Sequence, residues 1–383
     1  MRTATRKRTD ENLDGSILLI APRIPPYGGV ALQARYLESL MKADGVQGKL
    51  LPSNPPLPRP LRFCERVPGL RTVIRCAVFC ASLGKSLRGA TVVHIFACSW
   101  IYFFAVVSPA VLMACWMKKR IVLNYRGGEA ALFFRSWGWL AAPVFSRATV
   151  VTAPSRYLAE IIERRFHISV EIVPNLVDLS RFQFRQRDRF QPKIALARHL
   201  EAIYDVESAL KAFREIQKRY PEATLQIAGA GSQREYLSAL AAEWQLSGVR
   251  FLGQVDQSQL PLLYEECDIF LNASLVDNFP GALIEASAAG LAVVTSGAGG
   301  IPFIYENGRT ALLAAPGDWQ SLAAAVIDVI EQPSRAAAMT RSAAQMTQGC
   351  AWASVKKSLF HVYGIPGTDQ CAGAHAMSSV GEV

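Results

Sequence analysis

The sequence predicts an α/β fold of two Rossmann-like, doubly wound domains facing a cleft, and three observations carry that prediction. Short runs rich in Val, Ile and Leu recur at regular intervals, as strands buried on both faces of a parallel sheet require. Helical patterns separate them, for instance DVESALKAFREIQKRY, whose Val206, Ala209, Leu210, Phe213 and Ile216 follow a three-to-four spacing. The runs form two series, divided by the Arg/Gln-rich stretch RFQFRQRDRFQP, and 383 residues with 51% hydrophobic content suffice for a core in each.

In chain order, residues 1–15 read as a disordered basic tail. The apolar run ILLIAP that follows is too short for a signal peptide before Arg23 intervenes, so no export is expected. SILLIAP is the first strand, and Gly28-Gly29 after PPY either lets backbone approach a phosphate or acceptor, or makes a plain turn. TVVHIFA is the next strand. It lies within 29 residues that carry no formal charge, between Arg88 and Lys118. That length would span a bilayer, but Ser99 reads as a helix cap and Ser108-Pro109 as an interruption. The segment therefore splits into a buried strand and a buried or membrane-facing helix. RIVLNYR, ATVVTAPS and VEIVPN complete the first series, and KIALAR, ATLQIAGA, VRFLG, IFLNAS and AVVTSG form the second.

These runs give a first domain over 16–180 and a second over 181–350, with a linker near 178–192. A helix over 351–364 is expected to pack back toward the first domain, and 365–383 to form a loose tail.

Charge divides the halves. Up to residue 190 there are 28 basic and 12 acidic residues, a balance of +16; the remainder has 13 and 19, a balance of −6. A basic half attracts phosphates or anionic headgroups, and together with an apolar helix it suggests peripheral membrane attachment. Nucleic acid is excluded as the partner, because the basic residues are scattered and no base-reading motif accompanies them. The eight cysteines include no CxxC pair, and several sit in apolar runs, so they read as reduced thiols of a cytoplasmic protein.

The segment LVDNFPGALIEASAAGLAVVTS holds the strongest chemical signal. After the strand IFLNAS, Asp277 or Asn278 is placed to cap a helix, Pro280 suits its first turn and Gly290 its end. The N–H groups of Gly281, Ala282 and Leu283 then lack helical acceptors and form an anion site. Asp277 lies at its mouth, and Glu285 lies among aliphatic residues where an acid is costly unless it binds something. IAGAGS mimics a dinucleotide fingerprint, but Arg234 stands where the third glycine belongs and no ribose-binding acid follows, so it reads as a tight turn.

Asp277 and Glu285, followed by AGLAVVTSGAGGIPFIYENGRTALL, resemble the donor-binding motif of retaining glycosyltransferases with the GT-B fold. APSRYLAEII, EIVPNLVDLSRF, ARHLEAIYDVESALKAFREIQKRYPEATLQIAGAGSQREYL and APRIPPYGGVALQARYLESLM extend the resemblance over about residues 16–364. It implies that Glu285 holds the nucleotide ribose and Asp277 the transferred sugar, while the backbone of Phe279, Pro280, Gly281 and Ala282 touches sugar and phosphate. Arg198 matches the residue that steadies the departing diphosphate. His94 resembles a histidine found on that strand in relatives, and Gly28-Gly29 resembles their N-terminal glycine loop. Three positions differ from the family pattern: Asp277 is usually Glu, Glu201-Ala202-Ile203-Tyr204 stands where a phosphate-binding Lys often lies, and Arg126 replaces a His that would reach the sugar. An arginine cannot act as a base at neutral pH.

The function expected is transfer of a sugar from a nucleotide diphosphate-sugar donor to a glycan or lipid-linked acceptor in cell-surface polysaccharide assembly, with retention, no metal and no cofactor. Catalytic candidates are Asp277, Arg126 and His94. A sugar-nucleotide epimerase of the same architecture and a catalytically degenerate scaffold are the rival readings. A nicotinamide-dependent dehydrogenase would need the glycine fingerprint that is missing.

Overall fold

The computed structural model of the protein describes residues 16–24, 28–57 and 68–365. The expected terminal tails at 1–15 and from 366 on, the PPY at 25–27 and most of RPLRFCERVPGLR lie outside the described residues. Contacts divide the chain into two units. One comprises residues up to 152, 168–171 and from 359 on; the other comprises 153–167 and 172–358. Residues 153–167 thus group with the second unit, and residues 359 onward, which include the end of the last helix, with the first.

The first stretch of chain runs β1 (Ser16–Ala21), α1 (Gly29–Ala43), β2 (Gly48–Pro52), α2 (Pro68–Arg88), β3 (Ala90–Ala97), α3 (Trp100–Tyr102), α4 (Ser108–Trp116), β4 (Arg120–Tyr125), α5 (Ala130–Phe145), β5 (Val150–Ala153), α6 (Arg156–Phe166) and β6 (Val170–Ile172). Its six strands form one sheet in the order β2-β1-β3-β4-β5-β6, and the pairs from β2 through to β5 are parallel. Ile17 to Ala21 and Val92 to Ala97 are buried, which is why these strands read as continuous apolar runs. The chain leaves β1 toward β2 and returns to the other side at β3, so the order reverses between β1 and β3.

The uncharged segment after β3 differs from expectation in two ways. Ser99 precedes α3, but its hydroxyl makes no cap and is instead hydrogen-bonded to the Tyr125 hydroxyl at 2.8 Å. Pro109 does not interrupt the helix either. A π-helical turn over Phe103–Val107 joins α3 to α4, and the Ser108 hydroxyl donates to the Phe103 carbonyl at 3.1 Å. The wider turn accommodates a residue that cannot donate, so the helix continues past it. Among the described residues no helix is long and apolar enough to cross a membrane.

The second stretch contains β7 (Lys193–Ala197), α7 (Val206–Arg219), β8 (Thr224–Ala228), α8 (Arg234–Glu243), β9 (Val249–Gly253), α9 (Leu260–Glu266), β10 (Ile269–Asn272), α10 (Gly281–Ala288), β11 (Ala292–Ser296), β12 (Leu312–Ala314), α11 (Trp319–Glu331), α12 (Pro333–Thr347) and α13 (Trp352–Tyr363). The sheet order is β12-β11-β10-β7-β8-β9, parallel throughout. The reversal falls between β7 and β10. In open parallel sheets that is where ligand crevices form, beyond the carboxyl ends of the strands. The five periodic apolar residues of α7 are all buried, and the Asp205 carboxylate caps the helix by accepting from the Ser208 N–H.

Arg187 welds the segment before β7 to this unit. The residue is 4% exposed, and its guanidinium pairs with Asp268 at 2.8 Å and donates to the carbonyls of Arg185, Tyr264, Cys267, Ala289 and Gly290. Such saturation is what a buried guanidinium needs to offset its lost hydration. Residues 181–192, read from sequence as linker, are thus anchored structure.

Candidate donor site and its relatives

Within the second unit, Arg198 follows β7 and Asp277 follows β10, so the reversal of strand order brings together the two residues that the sequence separates by a whole α-β-α-β-α-β stretch. The Arg198 guanidinium forms an ion pair with the Asp277 carboxylate, and both side chains are largely buried. Asp277 was expected to be free for a sugar. Here it is engaged by the cation expected to hold phosphate. The Tyr204 ring centroid lies 4.5 Å from the guanidinium carbon, and the Arg198 nitrogen that pairs with Asp277 also donates to the Ser274 hydroxyl at 3.3 Å. Burial lowers the Arg198 pKa to about 10, which leaves it charged at neutral pH.

Backbone packing fixes both residues. Gly229 has φ +154, and a Cβ there would lie 1.7 Å from the Arg198 carbonyl oxygen; one on Gly231 would lie 2.3 Å from that of Leu200. The glycines of IAGAGS are therefore needed for close approach of two loops, not for a dinucleotide. Glu201, in the stretch that replaces the expected Lys, accepts from the N–H and hydroxyl of Ser232 in the same turn. On the other side, Gly299 at φ +55 would place a Cβ 2.3 Å from the Asp277 carbonyl oxygen, and the Gly300 N–H donates to that oxygen at 2.7 Å. Beneath lies a buried polar chain. The Ser274 hydroxyl donates to Asn272, the Asn272 amide to Thr295, and the Ser296 hydroxyl to the Ser274 carbonyl.

The start of α10 differs in detail from the sequence reading. Pro280 occupies the cap position, and neither Asp277 nor Asn278 caps the helix. The Leu283 N–H turns to the Pro280 carbonyl at 3.2 Å, so the anion-binding set shrinks to Gly281 and Ala282, whose N–H groups have no backbone acceptor among the described residues. An added Cβ on Gly281 would meet open space. Gly290, at φ +82, closes the helix as expected.

Glu285 is half-buried on α10, and burial raises its carboxyl pKa to about 7, against the favourable pull of Arg181 and the Tyr264 hydroxyl. Arg181 and Tyr264 were not identified from the sequence. Arg181 sat inside the quoted EIVPNLVDLSRF and carried a signal; Tyr264, in α9, carried none.

In the first unit, His94 lies within its strand. It is the fifth of eight residues in β3, 1% exposed, stacked on Phe96 at 4.6 Å, with Nδ1 hydrogen-bonded to the Tyr363 hydroxyl at 2.8 Å. Burial, reinforced by Arg126, pulls its pKa down to about 3, so the imidazole is neutral at physiological pH. Arg126 directly follows β4, where its N–H donates to the Ala97 carbonyl and its guanidinium lies 5.3 Å from the Phe96 ring centroid. Gly28 and Gly29 start α1 without positive φ, and added Cβ atoms there would meet nothing. Neither a turn nor packing demands glycine at either position.

Residues 181–346 match the family "Glycosyl transferases group 1". Glycogen synthase of Mycobacterium tuberculosis is 32% identical over 51% of this chain and 48% of its own length. The GDP-mannose-dependent alpha-(1-6)-phosphatidylinositol monomannoside mannosyltransferase of Mycolicibacterium smegmatis is 28% identical over 58% of this chain and 63% of its own. The chain thus spans about half the length of the first relative and under two thirds of the second. Among solved structures, Anabaena HepE with UDP and glucose superposes with TM-score 0.70 at 16% identity, over 91% of this chain and 99% of that one. Sucrose-phosphate synthase from Thermosynechococcus elongatus gives 0.71 at 18% identity, over 91% and 98%. Residues 181–346 therefore match the glycosyl transferases group 1 family, on a chain with the two Rossmann-like domains of the GT-B fold.

Proposed function

We propose that this protein moves a sugar from a nucleotide diphosphate-sugar donor to an acceptor, with retention of configuration and without a metal or cofactor. The observation that carries the reading is the meeting of Arg198, Asp277 and the two free amides of α10 at the strand reversal of one sheet, with Glu285 one turn further along. Fixed donors of this kind stabilise charge as it develops on a leaving diphosphate. In this reading Arg198 and the amides of Gly281 and Ala282 take the diphosphate. The backbone of Phe279 and Pro280 borders the sugar, and Glu285 accepts hydrogen bonds from the ribose. Asp277 gives up Arg198 and turns to the transferred sugar. Arg126 and the Gly28-Gly29 backbone serve the acceptor or the donor phosphates; His94 holds the first sheet instead of touching substrate.

The acceptor in this proposal is a glycan or lipid-linked intermediate of cell-surface polysaccharide assembly, met by a cytoplasmic protein resting on the inner membrane face. The basic first half supports it, as does the relative named for a phosphatidylinositol mannoside.

A thermal-shift screen over nucleoside diphosphates and their sugars tests the donor half, since a ligand held only by the folded state raises the midpoint. One nucleotide is expected to stand out and to lose its shift in Glu285→Ala; a shift kept by that variant refutes the assignment. Transfer that persists in excess chelator is the expected result for the metal-free part. The rival of a degenerate scaffold draws on one observation, the occupation of Arg198 by Asp277. It predicts donor binding with neither hydrolysis nor transfer.

A further inference from the structure

In the first unit, the helix running from α3 through the π turn into α4 packs on α5, and the Phe104 and Trp137 rings meet at 5.9 Å. Both helices leave large apolar side chains in the open. Ile101 is 75% exposed, Trp116 82% and Trp139 67%, and Leu112, Trp137 and Leu140 are exposed beside them. The opposite sides of the same helices are committed to the core through Phe103, Val107, Phe133, Phe134 and Phe145. The exposed residues are therefore surplus to folding, and so many large apolar side chains in the open on two packed helices mark an interaction site.

The charges around it select the partner. Lys118 directly follows α4 and Met117, Arg135 projects from α5, and Arg147 follows α5; all three are exposed, and none has an acidic partner among the described residues. From residue 89 to 159 the one acid is Glu129, and its carboxylate accepts the Trp100 indole N–H at 2.7 Å. Tryptophan and a cationic fringe on an otherwise apolar face fit the headgroup region of an anionic bilayer, where the indole keeps its ring in the acyl boundary and its N–H in water. The helices are too short to span about 30 Å of hydrocarbon, α5 having 16 residues where about 20 are needed.

We infer that this α4–α5 face lies in the interface of an anionic lipid bilayer. The inference deepens the proposal of a membrane-borne acceptor and rests on that part of it. Docking of this kind needs two signals, apolar insertion and electrostatic attraction, each weak alone.

The test uses the full chain and vesicles of phosphatidylglycerol with phosphatidylcholine, against phosphatidylcholine alone. Sedimentation should show binding to the anionic vesicles that weakens as salt rises, with tryptophan emission quenched by brominated acyl chains. The double variant Trp116→Ser/Trp139→Ser should cut partitioning by about tenfold or more, with an unchanged thermal midpoint because both side chains are surface. Lys118→Glu/Arg135→Glu should abolish the preference for anionic lipid. Absence of vesicle binding, equal binding to neutral vesicles, or unaltered binding by the tryptophan variant overturns the inference. So does a self-association that the tryptophan variant dissolves, which would make a second copy the occupant. A nucleotide-induced midpoint shift in the same variant keeps the two readings separable: losing vesicle binding while keeping the shift bears on this face alone.

Discussion

Replacing Asp277 by Asn would test whether the Arg198–Asp277 pair is a contact that the donor must displace. Breaking a fully buried pair costs about 3–5 kcal/mol, because a charge is left without its partner. Here the two side chains keep 13% and 10% exposure, and Arg198 retains Tyr204 and Ser274, so a penalty of about 1–3 kcal/mol on the unliganded protein is expected. At about 2–4 °C per kcal/mol, the thermal midpoint should fall by several degrees. A diphosphate restores a counter-charge to Arg198 without first evicting a carboxylate. Recovering about 1–2 kcal/mol of the penalty tightens nucleoside diphosphate binding by about 5- to 30-fold, at 1.4 kcal/mol per decade. Transfer should fall at the same time by about a hundredfold or more, as the sugar loses its acid. Calorimetry with the nucleotide identified by the screen gives the first quantity, and product chromatography the second. Unchanged or weaker diphosphate binding by the Asn variant would refute the exchange.

Other outcomes follow from the same geometry. The fold favours a protonated Glu285, so the folded state holds a proton that the unfolded chain releases above the ordinary value of 4.5; stability should decline from there to about pH 7 and then level off. Glu285→Gln removes this cost, raising the apo midpoint at pH 8 while weakening nucleotide binding at least tenfold; a lowered midpoint would contradict the assigned burial. Gly299→Ala forces a Cβ against the Asp277 carbonyl in a left-handed conformation, and should lower the thermal midpoint by a few degrees and kcat/KM by about tenfold or more; wild-type kinetics would show that Asp277 does not need this clamp. Asp268→Ala strands Arg187 and should cost about 3–5 kcal/mol by denaturant unfolding; a loss below about 1 kcal/mol would mean the carbonyls alone satisfy the guanidinium.

What could be read in advance follows from which signals are local. Strands such as β3 and β10 are buried on both faces and announce themselves as apolar runs, whereas β2 and β12 were missed: they are edge strands, short, and GKLLP and LLA have no periodic signature. Arg198 and Asp277 could be placed beside the crevice because residues just past strand ends line it in this architecture, and Glu285 stood out as an acid among aliphatic residues. Their mutual pairing was not, since Arg198 and Asp277 are joined by sheet order, and Arg181 and Tyr264 approach Glu285 from separate loops and helices. The enclosure of His94 was hidden for the same reason. Its partner Tyr363 is 269 residues away, so nothing near VVHIF reveals that the imidazole is enclosed. Pro109 was misread because a π turn, invisible in composition, absorbs it.

The bond between His94 and Tyr363 also bears on biosynthesis. Leu359, Phe360, Val362 and Tyr363 are buried in the first unit, and the Val362 carbonyl accepts from Arg120 at 2.9 Å. A ribosome must therefore translate the entire second unit before the first can close its core. The nascent N-terminal half waits, incomplete, through that interval, and it is the half with most reason to engage a chaperone.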